Sequence, residues 1–332
     1  MGFDVTALGE LLIDFTPDGT NSRGIALYAR NPGGAPANVL AMITKLGGRT
    51  AFIGKVGKDA FGDYLRETLV SAGIDVSGLM TDREYPTTLA FVNLDKNGDR
   101  SFSFYRKPGA DLLLTPEEIK KDLIDEARIF HFGSVSLSGE PCRQTVHEAV
   151  AYARTKGKIV SFDPNYRPLL WDSEESARRE ILRLVPQADI LKVSEEEMLL
   201  LTGLPPAKAD DRDARLALFE KGAAALSAMG PVTVLVSLGA DGAFYRCPKG
   251  SGHLATYDVK TVDTTGAGDA FLGAILWKLR EKSREDLRQM EPAELAAITD
   301  FGNAAGSLTT MVKGAIPALP EAAAIEAFTS KI

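Results

Sequence analysis

A carboxylate set among glycines at the start of an apolar run is the feature of this chain best suited to chemistry. The stretch Asp263-Thr264-Thr265-Gly266-Ala267-Gly268-Asp269 leads directly into Ala270-Phe271-Leu272-Gly273-Ala274-Ile275-Leu276-Trp277. Small residues that open a helix leave main-chain N–H groups unpaired, and the helix dipole makes that end attractive to an anion such as phosphate. A purely structural carboxylate would be repelled by such an anion. Asp269 therefore reads as a base that takes a proton from an attacking hydroxyl. The competing reading makes Asp269 the cap of a buried helix and gives the glycines to close packing.

A second set of groups lies near the start of the chain. Gly33-Gly34-Ala35-Pro36-Ala37-Asn38 opens another helix, and Asp14 follows the first apolar run, where α/β sheets present ligand contacts at the carboxyl ends of strands. A carboxylate that accepts hydroxyl protons and an amide that both donates and accepts suit a polyol.

These groups need a scaffold, and the apolar pattern supplies one. Short runs at 5–8, 50–54, 129–132, 159–162, 190–192 and 232–237 read as strands. They alternate with helical periodicity over 37–46, 62–72, 142–155, 176–185 and 214–229, which predicts a three-layer, mostly parallel α/β sheet flanked by helices. Residues 88–94 and 100–106 instead alternate in period two around Asp95-Lys96-Asn97-Gly98-Asp99, a hairpin signal. With the polar segment 15–30 they predict a small β-sheet lid over 16–31 and 84–107, the large domain taking 1–15, 32–83 and 108–332. Phe102, Phe104 and Arg106 share one face of the hairpin by parity. Segments 205–212 and 282–292 read as solvent loops.

Composition narrows the class. The chain has 332 residues, 45% hydrophobic and 25% charged, with a net charge of -7, which speaks against nucleic acid and anionic membranes as partners. Two cysteines and no secretory leader predict a reducing cytoplasm. Every apolar run is interrupted before it could span a bilayer. The start Met1-Gly2-Phe3-Asp4-Val5-Thr6 formally matches a myristoylation pattern, but it leads into the first buried strand, so lipidation is not expected. His131, His147 and His253 are scattered without ligand spacing.

Taken together, the two glycine-rich elements resemble the ribokinase-like, or PfkB, family of sugar and nucleoside kinases over nearly the whole chain. Gly33, Gly34 and Asn38, with Gly47 and Gly57 downstream, match its N-terminal element, and residues 263–269 match its C-terminal one. The resemblance implies transfer of the γ-phosphoryl group of ATP, with Mg2+, to a primary alcohol. It makes Asp269 the general base and the amides of Gly266, Ala267 and Gly268 the anion hole. It further implies a nucleotide side at Lys192, Glu197, Ser237, Gly239, Gly242 and Asn303, and a K+ site at Asp263, Thr265 and carbonyls near Ala315. The family's Asn-x-x-Glu element, which handles Mg2+ through water, stands here as Ser194-Glu195-Glu196-Glu197, with Ser in place of Asn. Relatives often pair through their lids, so a homodimer is implied as well.

The segments 101–106, 131–134 and 163–171 resemble those of fructose-phosphorylating members. The implied substrate is D-fructose at its 6-hydroxyl, held by Asp14, Gly33, Gly34, Asn38, Phe104, Arg106, Asn165 and Arg167, with Phe102 or Phe104 closing over it. Members acting on 2-keto-3-deoxygluconate carry similar Tyr-Arg and Asn-Tyr-Arg segments, so that substrate is the alternative. A non-catalytic sugar- or nucleotide-binding regulator is the rival from another class. The chain lacks the Gly-x-Gly-x-x-Gly of dinucleotide-binding dehydrogenases after its first strand, and it lacks a P-loop.

Overall fold

A computed structural model describes residues 2–94, 100–208 and 211–329, and in it the apolar runs assemble into two sheets. The strands are β1 (Phe3–Leu8), β2 (Leu12–Thr20), β3 (Ala26–Gly33), β4 (Thr50–Gly57), β5 (Asp75–Asp82), β6 (Leu89–Leu94), β7 (Arg100–Tyr105), β8 (Ala127–Gly133), β9 (Ile159–Asp163), β10 (Ile190–Ser194), β11 (Thr233–Ser237), β12 (Ala243–Cys247) and β13 (Gly250–Leu254). The large sheet runs β13-β12-β11-β10-β9-β8-β1-β4-β5, parallel except for β12 and β13. Chain order spreads outward on both sides of β1, toward β4 and toward β8, so the carboxyl ends of β1 and β8 frame a crevice where α/β sheets bind ligands.

Each face of this sheet carries its own core. Val5, Phe52, Ile129, Ile159, Ile190 and Leu235 pack with the helices Ala35–Lys45, Ala267–Leu279 and Pro292–Thr309. Phe130, Phe132, Val160, Phe162, Leu191 and Val193 pack on the opposite side, with Cys142–Thr155, Glu174–Leu184 and Arg212–Ala228. The helix Ala267–Leu279 buries every residue from Ala270 to Leu276, which explains why its sequence is apolar all round rather than striped.

The small sheet has the order β3-β2-β6-β7 and contains the period-two segments. Its first two strands run from Leu12 to Gly33, a wider span than 16–31. Residues 95–99, Ala209 and Asp210, and the side chain of Phe102 lie outside the described part, and with them the expected Asn97-Gly98 turn.

Two elements differ from the sequence pattern. Segment 282–292 is no plain loop: Ser283 and Asp286 form a capping box for the short helix Arg284–Gln289, Leu287 and Met290 are buried, and Arg284 pairs with buried Asp189 at 2.9 Å. Six residues are too few to show helical periodicity. Strand β5 gives no clear strand pattern because Ser77, Gly78, Thr81 and Asp82 interrupt its apolar residues at the sheet edge.

Candidate active site

The start of helix Ala267–Leu279 opens on a cavity of about 530 Å³. Gly266 is its N-cap, with φ 77, and a Cβ there would lie 2.7 Å from that of Ala315, so a side chain is excluded both by conformation and by space. Among the described residues no side chain caps this end. Gly266 and Gly268 line the cavity, whereas the Ala267 N–H turns inward to the Thr264 carbonyl at 3.3 Å. Of the three amides expected to form an anion hole, Ala267 is the one engaged among the described residues.

Asp269, in the first turn, lines the same cavity, and its Oδ2 accepts a hydrogen bond of 2.8 Å from Asn38 Nδ2. Burial pushes its carboxyl up to about 6, and Asp163 adds to this while Asn38, Lys192 and Arg167 oppose it. A carboxylate poised near neutrality is what a general base requires. Asp14, on β2, lines the same cavity, and burial together with the Asp269 charge raises it likewise to about 6 against the pull of Arg167. Gly33 packs beneath the Asp14 carboxyl, and Gly34, at φ 121, leaves room only for hydrogen against the Glu10 carbonyl.

Beneath the anion-attracting turn lies a polar row inside the sheet. By strand parity His131, Ser161, Asp163 and Lys192 share the face that packs on Ala267–Leu279. Lys192 pairs with Asp163 at 3.0 Å, and its Nζ comes to 3.4 Å from where a Gly268 Cβ would stand. Burial works against the ammonium, but Asp163 and Glu197 outweigh it and keep the lysine protonated. A buried cation thus sits below the glycine turn.

Asn165 and Arg167 follow β9 and line both this cavity and a second one of about 420 Å³, together with Lys192, Ser194 and Glu197. Asn165 adopts φ 45, its N–H donating to Asp163 Oδ1 at 3.1 Å. Glu197 accounts for the Ser-for-Asn departure. Ser194 and Glu197 form the capping box of helix Glu195–Thr202, Glu197 Oε2 accepting Ser194 N–H at 2.7 Å and Oε1 accepting Tyr166 N–H at 2.6 Å. Burial raises the Glu197 carboxyl, and Lys192 opposes this. The Glu197 side chain therefore anchors the segment that carries Asn165 and Arg167.

Arg106 stands elsewhere than expected. Its guanidinium is buried in an ion pair with Asp111 at 2.6 Å and donates to Ser138 Oγ and the Val135 carbonyl, whereas Phe104 lies on the cavity wall. Period-two parity fails at Arg106 because β7 ends at Tyr105. Ser237, Gly239, Gly242 and Asn303 line neither cavity: Ser237 Oγ donates to the Val193 carbonyl, and Asn303 donates to the Ala255 carbonyl at 3.3 Å. Asp263 accepts from Thr265 through Oδ1 and from Gly314 N–H through Oδ2, tying its loop to the Ala315 segment.

Residues 3–322 match the model of the pfkB family carbohydrate kinases. The chain belongs to that family. This pfkB carbohydrate kinase is 43% identical over 320 residues to "Fructokinase-2" of Solanum habrochaites, covering 96% of this chain and 93% of that one. Its fold matches a fructokinase with bound ATP from Xylella fastidiosa at TM-score 0.88 and 30% identity, over 99% and 98% of the two chains. It matches a Vibrio cholerae fructokinase bound to fructose, ADP and calcium at TM-score 0.84 and 35% identity, over 98% of each. The kinase is thus a sugar phosphotransferase, built on a mostly parallel nine-stranded sheet flanked by helices with a smaller separate sheet.

Glu10, Asp111 and Asp163 belong to this neighbourhood without standing in any of the expected site positions. For Asp163 a signal existed, since a charge that ends an otherwise apolar strand such as Ile159–Asp163 lies at the sheet's ligand-facing edge. Glu10 and Asp111 lie in connections without periodicity, and only the packed structure brings them to the site.

Proposed function

We propose that this kinase transfers the γ-phosphoryl group of ATP to the 6-hydroxyl of D-fructose. The observation that carries the reading is Asp269, fixed by Asn38 on the cavity wall beside the uncapped glycine turn, with Asp14 lining the same cavity. In this scheme Asp269 accepts the hydroxyl proton as the sugar oxygen bonds to the γ-phosphorus and the bond to the β,γ-bridging oxygen breaks, releasing ADP. The Gly266 and Gly268 turn, the helix dipole, Lys192 and Arg167 hold the negative charge of the moving group. Asp14, Gly34, Asn38, Asn165 and Phe104 orient the sugar.

Magnesium bound with the nucleotide supplies charge neutralisation, and Glu197, with both oxygens already accepting main-chain N–H groups, suits contact with it through water. The oxygens of Asp263 and Thr265 and the carbonyls near Ala315 are hard donors that suit potassium. Ser237, Gly239, Gly242 and Asn303, at the carboxyl end of β11 and beyond, remain the reading for the base end of the nucleotide. The small sheet acts as lid, and its exposed Ile25, Leu27, Tyr28 and Tyr105 suit pairing with a second copy. The two cysteines are free and buried, which suits a reducing compartment such as the cytoplasm. No helix among the described residues is long and apolar enough to cross a membrane.

A 2-keto-3-deoxygluconate kinase fits the cavity less well. Asp111 already holds Arg106, and the carboxyl groups Glu10, Asp14 and Asp269 line the cavity, which leaves Arg167 and Lys313 as the cations on its lining that could meet a sugar acid's carboxylate. A comparison of kcat/KM for fructose, ribose, adenosine and 2-keto-3-deoxygluconate with magnesium-ATP tests this. Fructose is expected to lead; a preference for the keto acid of roughly a hundredfold would overturn the assignment, and turnover of none would leave the regulator reading.

A further inference from the structure

Glu10 follows β1 and is 3% exposed, yet it lines the 530 Å³ cavity. Its Oε1 accepts the Ala35 N–H at 3.0 Å, capping the helix that carries Asn38 one turn later. Among the described residues its Oε2 is buried with no hydrogen-bond partner, and so is Oδ1 of Asn38 on the same wall. One oxygen is enough for a cap, and a neutral glutamine would cap equally well. A second buried acceptor left unsatisfied costs stability, so its persistence points to a donor that arrives from the cavity.

We propose that Glu10 is a specificity-determining residue of the sugar site, its Oε2 taking a hydroxyl of the bound polyol beside Asn38 Oδ1. The inference rests on the sugar-kinase reading above and extends it to a residue that the motifs do not include. The contact selects neutral, hydroxyl-rich substrates. A sugar acid would set its carboxylate against Glu10 and Asp14, with Asp111 close behind. Burial pushes the Glu10 carboxyl up to about 7, with Asp111 adding to this and its own main-chain N–H, the Ala35 N–H and Arg106 opposing it. The group is therefore able to donate as well as accept near neutral pH.

Glu10→Gln separates the two roles. Its carbonyl can still accept the Ala35 N–H, but the position of Oε2 becomes an NH2 group that only donates. The variant is expected to keep at least the parent melting temperature at pH 6 and to keep the KM for ATP, and to raise the KM for fructose roughly tenfold or more. The penalty should vanish for one monodeoxyfructose, the analogue that lacks the contacted hydroxyl. A fructose KM within about twofold of the parent, or an equal penalty for every analogue, would overturn the proposal and leave Glu10 as a cap. Should Glu10→Gln not fold, Glu10→Asp withdraws the carboxyl by one methylene, and the same split between sugar and ATP is expected. Failure of the parent enzyme to use fructose would count against the substrate reading alone; the comparison is then made with whichever polyol the parent prefers.

Discussion

Asn38 Nδ2 donates to Asp269 Oδ2 across 2.8 Å, joining the first turns of two helices that lie far apart in the chain. The bond fixes one carboxylate oxygen and leaves the other for the cavity. If Asp269 is the base, Asp269→Asn lowers kcat by roughly 10²- to 10⁴-fold with the sugar KM little changed. Steady-state kinetics with a circular-dichroism check of the fold decide this. Activity within a few-fold of the parent would assign the proton transfer to another group.

The pH dependence follows from the same carboxyl. With Asp269 raised to about 6, kcat/KM should fall as pH drops below about 6, because the protonated acid cannot accept a proton. Asp14 is raised to a similar value beside it, so the acid limb reports the pair rather than either residue alone. In Asn38→Ala the hydrogen bond that favours the ionised form is gone, and the limb should move to higher pH. A limb that stays in place would mean that Asn38 does not tune the base.

Asp14→Ala removes hydroxyl contacts made before chemistry begins. The KM for the sugar should rise at least about tenfold with a smaller change in kcat. Isothermal titration with fructose checks the binding step directly, and an unchanged affinity would remove Asp14 from the site.

Asp111→Ala leaves the Arg106 guanidinium buried without its carboxylate, a change that typically costs about 3–5 kcal/mol. Urea unfolding should show this loss. Replacing both partners by apolar residues, as in Arg106→Met with Asp111→Leu, should recover much of it. If the single variant were as stable as the parent, the pair would not anchor the chain between β7 and the body.

Stability should also respond to pH through Glu10. Its folded pKa, about 7, lies above the ordinary 4.5, so its contribution is fully present below about 4.5 and is lost as pH rises through 7. Between pH 6 and pH 8 the parent should therefore lose more stability than Glu10→Gln does. Parallel melting curves over that interval would show a common slope if the carboxyl were not held in this way.

Much of the scaffold was legible because buried parallel strands and amphipathic helices have distinct periods. The strands at Ile159–Asp163 and Ile190–Ser194 and the helix Cys142–Thr155 fall where the apolar pattern put them. The grouping of Asp269, Asn38 and Asp14 was legible as well, since glycine turns at helix starts mark where ligands approach. Arg106 was not, because parity along a strand says nothing once the strand ends and a buried carboxylate nearby competes for the guanidinium. Nor was the anchoring bond from Tyr166 N–H to Glu197, which depends on how two loops meet. Ser194 in place of Asn is at home in a capping box, which could have been read from the Ser-x-x-Glu spacing itself.

Phosphoryl transfer to the 6-hydroxyl of fructose is tested most directly by phosphorus and carbon NMR of the product formed from fructose and magnesium-ATP. Fructose 6-phosphate, formed by the parent and only at a trace rate by Asp269→Asn, is the expected result. A phosphate on another hydroxyl, or no phosphorylated hexose at all, would contradict it.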